Sequence, residues 1–213
     1  MATKLGLLNN ALLEVGHRPL SDTGEAVEAG RVLNTVYDQV LRECLSVGSW
    51  NFATETIQAD ADTGVTPAFG QFTEVFAKPS DFVRTVAVSA DPDFSLPLLN
   101  YYDDINFWSA AQTPIYVRYV SSDTGMGLEL TRWPSLFARY VELELASRVG
   151  YKITQSTDVE KMVHAKREDA RKRALNVDAM NEPQPKFAPP GSWNSARSGS
   201  SRGDRGSRGN LTG

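Results

Sequence analysis

The chain has one cysteine, two histidines and no long apolar run in its 213 residues. Each scarcity excludes something. A lone Cys44 excludes an intramolecular disulfide and any multi-cysteine zinc site. His17 and His164 leave little material for a histidine-rich metal centre or a charge-relay triad. No stretch approaches the ~18 consecutive apolar residues of a membrane span. The opening Met1-Ala2-Thr3-Lys4 runs into a helix-like pattern rather than an apolar signal core. Walker-type phosphate loops and dinucleotide fingerprints are missing as well. Neither a metal nor a cofactor is expected.

What is there, 41% apolar and 23% charged residues with a formal net charge of −4, suits one core-forming domain with appendages. The charge is unevenly spread. Residues 181–213 hold Lys186, Arg197, Arg202, Arg205 and Arg208 against Glu182 and Asp204, a net of +3, so residues 1–180 carry −7. The same stretch holds Pro183, Pro185, Pro189 and Pro190 and then a Gly/Ser/Arg tract. Such a composition buries too little apolar surface to offset the entropy of ordering. The expectation is an acidic folded body over 1–180 and an extended basic arm over 181–213. At ~3.3 Å per residue the arm could reach roughly 100 Å.

Within the body, Leu5, Leu8, Leu12 and Val15 fall at helical spacing, and Gly16 followed by Pro19 stops them. This predicts a helix over about 3–15. A longer one, about 25–47, carries the stripe Ala26, Ala29, Leu33, Val36, Val40, Cys44 and Val47, with Gly48 to end it. Beside that stripe lies a second, Tyr37, Leu41 and Leu45. So broad an apolar surface predicts cover from two sides, by the chain's own fold and by a neighbouring subunit. From Trp50 the period changes. Asn51–Ile57, Phe72–Phe76, Phe82–Val88 and Ile115–Val120 read as strands, and Asp103–Ala111 as a short helix. Residues 50–131 are therefore a small antiparallel β insert. Phe137, Val141, Leu145 and Val149 mark a helix over about 134–150, with Pro134 at its first position. Thr157 and Glu160 form a capping box for a last helix over about 157–178. The predicted fold is α+β: a bundle of about four helices, a β insert and a C-terminal arm.

Few residues carry a catalytic signal. Cys44 lies on an apolar stripe and reads as a buried structural thiol. Asp60-Ala61-Asp62-Thr63-Gly64 faintly suggests a calcium loop, but Gln71 stands where a bidentate Glu is required, so a polar turn is expected. Asp103, Asp104, Glu142 and Glu144 are the candidates for an acid–base pair in peptidoglycan hydrolysis, and Glu142 and Glu144 point to different faces of a helix. The last helix mixes Lys161, Lys166, Arg167, Arg171, Lys172 and Arg173 with Asp158, Glu160, Glu168, Asp169 and Asp178. Mixed charge of this kind predicts a solvated, salt-bridged face rather than a nucleic-acid site. Binding of nucleic acid through the basic arm remains a third reading. In the arm, Phe187 and Trp193, with Arg197 four residues on, have the composition of an interface anchor.

Several segments together resemble a known family. They are Leu8-Asn9-Asn10-Ala11-Leu12-Leu13-Glu14-Val15-Gly16 followed by Pro19, then Ala29-Gly30-Arg31-Val32-Leu33-Asn34 through Leu41-Arg42-Glu43, and Trp50-Asn51-Phe52-Ala53. Lys78-Pro79-Ser80-Asp81-Phe82-Val83-Arg84 and Pro190-Gly191-Ser192-Trp193-Asn194-Ser195-Ala196-Arg197 complete the series. In this order they are similar to the tail tubular protein A family, the head-to-tail adaptors of short-tailed bacteriophages. The resemblance implies a structural, non-enzymatic virion protein made in the host cytoplasm. It implies a dodecameric ring between portal and tail nozzle, with DNA passing through the channel and tail fibres among the candidate partners. The arm would dock on the portal through Phe187, Pro189, Pro190, Trp193 and Arg197. Tyr37, Leu41 and Leu45 would pack subunit against subunit.

Overall fold

A computed structural model describes residues 2–67 and 70–181. Across these residues the fold is α+β, with four α-helices and two small antiparallel sheets. The first helix, α1 (Lys4–Glu14), is capped by the Thr3 side chain, which accepts from Gly6 N. It ends where Gly16 takes φ +74° while His17 N donates to Leu12 O and Gly16 N to Leu13 O. That pair of bonds is a Schellman stop, which needs a residue free to adopt the left-handed region.

The second helix, α2 (Glu28–Val47), ends at Gly48 for a different reason. A Cβ there would stand 2.6 Å from Leu175 Cδ2 and 3.1 Å from the Trp50 ring, so close approach rather than positive φ favours glycine. Pro134 stands just before α3 (Ser135–Thr154) rather than inside it. Helix α4 (Thr157–Asn181) runs three residues beyond its expected end, and Glu160 N bonds back to Ser156 O ahead of it. Helix α3 lies centrally, packed by α1, α2 and α4.

Tyr37, Leu41 and Leu45 require a correction. They are 5%, 4% and 0% exposed, within the core of their own chain, and offer no surface to a neighbouring subunit. Lys4 Nζ sits 4.6 Å over the Tyr37 ring, and Leu45 Cδ1 lies 3.3 Å from the Cβ position of Gly127. The wide apolar face of α2 is covered by the remainder of the same fold. Burial also pushes the Tyr37 phenol up to about 12.

The insert holds strands β1 (Thr54–Ala59), β2 (Glu74–Ala77), β3 (Phe82–Ser89), β4 (Tyr102–Asp103), β5 (Phe107–Ala110) and β6 (Ile115–Ser121). They form two three-stranded sheets ordered β1-β6-β3 and β2-β5-β4. The short helix expected over Asp103–Ala111 is instead the β4–β5 hairpin, because Phe107 and Trp108 pair with Ala77 and Phe76 and bury Trp108 completely. Central strand β6 joins the two cores. Its Ile115 and Val117 belong to the insert core with Phe76, Val88 and Trp108, whereas Val120 belongs to the bundle core. Opposite faces of one strand therefore serve two clusters. A bulge between Thr85 and Ala87 leaves Val86 as the extra residue, packed on the bundle core.

Trp50 fastens insert to bundle. It is 1% exposed, its indole Nε1 donates to Cys44 O at 2.9 Å, and its ring meets Phe137 edge-on at 4.7 Å. Gly127 provides the second junction, its Cβ position lying only 2.0 Å from Ser121 O while its carbonyl accepts from Trp133 Nε1 at 2.9 Å. In urea denaturation, Trp50→Ala is expected to cost about 3–5 kcal/mol. Gly127→Ala should cost on the order of 1–3 kcal/mol through overpacking against backbone. Leu13→Ala, at a position 59% exposed, should change stability by less than about 0.5 kcal/mol.

Candidate interaction surfaces

The four candidate carboxylates for hydrolysis do not converge on one site. Glu142 and Glu144 are both buried on α3 but point into different networks. Glu142 accepts from Asn10 Nδ2 at 2.6 Å and from Arg139 at 3.4 Å, on the α1 side. Glu144 accepts from Arg148 Nε at 3.2 Å and lies 3.6 Å from Arg167 of α4. Asp103 is paired with Lys78 and accepts from Thr85 Oγ1 at 2.6 Å in the insert, and the Asp104 carboxylate accepts from Ile105 N. These groups bind their own neighbours, and Asp103 and Asp104 sit in a different layer from the two glutamates.

The same contacts show what the buried charge does. Arg139 of α3 and Lys166 of α4 both bond Glu14 of α1, at 2.5 and 2.9 Å. One carboxylate thus ties three helices. On the other flank Arg148 bridges Glu43 of α2 and Glu144, while Arg167 and Arg171 share Glu168 at 2.7 and 3.1 Å. Removing one member of such a cluster leaves a charge poorly solvated, which costs more than an exposed pair would contribute. Along α4 the mixed charge does form ion pairs, Arg173 with Asp169 at 2.9 Å included.

Cys44 is fully buried, and burial, with Glu144 nearby, pushes its thiol well above the ordinary range, as expected of a structural cysteine. His17 Nδ1 lies 3.0 Å from Arg18 O, and His164 lies 3.9 Å from Glu160. The Asp60–Gly64 segment is a polar turn in which Asp62 Oδ1 accepts from Gly64 N at 2.9 Å. Among the described residues no group of three or more His, Cys, Asp or Glu is placed to hold a metal ion. No described helix is long and apolar enough to cross a membrane. Phe187, Pro189, Pro190, Trp193 and Arg197 lie outside the described residues.

No protein-family model matches the chain, and no curated protein matches it.

Sequence reasoning missed two features of the insert. Lys78 is buried to 6% side-chain exposure, with its ammonium 4.1 Å over Phe82 and 5.3 Å over Trp108. It bonds Asp103, and Thr85 passes the link on to Trp108 Nε1 at 2.9 Å, so the two sheets meet at one cation. The second feature is charge: residues 50–131 carry eleven acidic side chains against Lys78, Arg84 and Arg118, a net of −8. The body's negative charge therefore lies in the insert, and the bundle is close to neutral.

Burial raises the pKa of Glu14, but the hydrogen bonds and charges of Arg139 and Lys166 outweigh it and hold the carboxyl below its ordinary 4.5. The folded state binds this proton less readily than the unfolded chain does. Its contribution to stability is thus complete above the ordinary value and is lost as pH falls through the folded one. In urea titrations from neutral pH down to about pH 3, Glu14→Gln should start less stable than the native chain and lose less on acidification. Parallel acid limbs for the two proteins would refute this role.

Proposed function

We propose that the chain is a structural head-to-tail adaptor subunit of a short-tailed phage virion, seated in a ring between portal and tail nozzle. The observation that carries this reading is the order of parts. Two helices, a β insert and two further helices precede the basic C-terminal stretch, and the segments that resemble the tail tubular protein A family run in order through the chain. Helix α4 extends to Asn181. Ordering the arm on a partner costs conformational entropy, which burial of Phe187 and Trp193 would offset.

The electrostatics support passage of DNA rather than its retention. Residues 1–180 carry −7, and the basic side chains of α4 are largely engaged in ion pairs. Phosphate neutralisation is the main source of affinity for nucleic acid, so an acidic wall lets a duplex slide past. The hydrolase alternative receives no such support, since its carboxylates occupy separate networks.

Truncation after Met180 tests the reading. The shortened chain should keep the helical circular-dichroism spectrum and cooperative unfolding of the full chain, yet fail to cosediment with the portal protein of the same virion. Undiminished portal loading by the shortened chain would overturn it.

A further inference from the structure

The loop and hairpin of residues 91–106 combine order with exposed apolar side chains. Asp91 is the hub. Its carboxylate accepts from Ser89 Oγ at 2.8 Å, from Ser95 N and Oγ at 3.1 and 2.8 Å, and from Leu96 N at 2.8 Å. Phe94 takes φ +55° and lies beneath the Arg118 guanidinium at 4.1 Å. The loop so held turns Leu96 and Leu99 outward at 63% and 89% exposure, and the hairpin beyond it does the same with Ile105 at 84%. An ordered loop that displays leucines loses little entropy on binding.

Charge selects the occupant. Every charged residue in 91–106 is an aspartate: Asp91, Asp93, Asp103 and Asp104. The cations that touch this face are Lys78, on Asp103, and Arg118, on Phe94. Four carboxylates against two cations leave the face at −2, inside an insert that carries −8. An occupant has to bring large apolar side chains among positive charges. The outer side of α4 does not, because exposed Lys161 and Lys172 stand among exposed Asp158 and Asp169.

The chain's own C-terminal stretch does. Residues 182–213 carry Phe187 and Trp193 among Lys186, Arg197, Arg202, Arg205 and Arg208, against Glu182 and Asp204, a net of +3. The stretch also begins within reach. It follows Asn181, and Asp178 one turn earlier is bonded to Asn51 at the root of the insert. Thr54 and Arg84 both pair with Val120 beside that root, and Ser89, where the loop begins, lies five residues farther along β3. That is about 17 Å of strand, whereas the contour from Asn181 to Trp193 is roughly 40 Å.

We propose that, in a copy that has not met its partner, residues 182–213 rest on the 91–106 face of that same copy, with Phe187 and Trp193 against Leu96, Leu99 and Ile105. Tethering holds the stretch at an effective concentration of about 1 mM, at which a Kd of about 0.1 mM keeps it docked about nine-tenths of the time. The contact stands without the adaptor reading. Under that reading the portal takes the stretch from this face, and the anchors stay covered until assembly.

The test is tryptic cleavage of the full chain at Arg197, timed by mass spectrometry at about 50 mM and about 500 mM salt and at several protein concentrations. At low salt the native chain should be cut about tenfold more slowly than Leu96→Ser with Leu99→Ser, and than Asp93→Asn with Asp104→Asn. The protection should shrink at high salt and be independent of protein concentration. Unchanged melting would show that the loop variants fold. Phe187→Ser with Trp193→Ser leaves the body untouched and should be cut as fast as they are. Equal cleavage of the native chain and all variants overturns the proposal. Protection that rises with protein concentration also overturns it, and gives the face to the stretch of a second copy. So does protection that survives the loop variants but is lost in Val177→Asp, which moves the stretch to the groove that Val177 lines with Trp50, Phe137 and Ala174. Faster cleavage of the loop variants, with no portal binding by the native chain, supports this contact and counts against the adaptor reading alone.

Discussion

The indole of Trp50 donates to the Cys44 carbonyl near the end of α2, and four parts of the chain are placed by what surrounds that bond. The ring packs on Phe137 of α3. Its neighbour Gly48 lacks a side chain, which lets Leu175 of α4 come close. One residue further on, Asn51 N donates to the Asp178 carboxylate and its side-chain amide to the Asp178 carbonyl, so the departing chain is held to α4 as it leaves for the insert. A buried indole N–H without an acceptor would carry a desolvation penalty. The carbonyl that satisfies it belongs to α2, so the direction in which the insert leaves the bundle is set there.

The helices were the most legible part of the sequence, because 3.6-residue periodicity survives whatever covers the stripe. What covers it was not legible. Tyr37, Leu41 and Leu45 looked like surplus apolar width, and only the arrangement of α1, α3 and the loop at Gly127 reveals that one chain suffices to bury them. Over Asp103–Ala111 the adjacent aspartates suggest a helix start, whereas the aromatic pair Phe107 and Trp108 is the stronger signal and forms a strand. The partners of Glu14 and the Asn10 partner of Glu142 lie more than a hundred residues away in sequence, so no local pattern could mark them. The same holds for Lys78, which reads as a surface lysine until Asp103, Phe82 and Trp108 converge on it.

Charge divides the molecule by task. In the bundle, opposite charges meet between helices. In the insert, negative charge accumulates on loops that an aspartate hub keeps in place. The arm is basic. An adaptor has to hold neighbours of more than one kind while leaving DNA mobile, and this division suits that demand.

The central claim is that this chain is an assembly component whose arm anchors it to a portal. Its most direct test is the mass, by light scattering, of the full chain mixed with the portal protein, for the native sequence and for Trp193→Ala. The account predicts a many-copy complex with the native chain and its loss in the variant. A native chain that ignores the portal would contradict it.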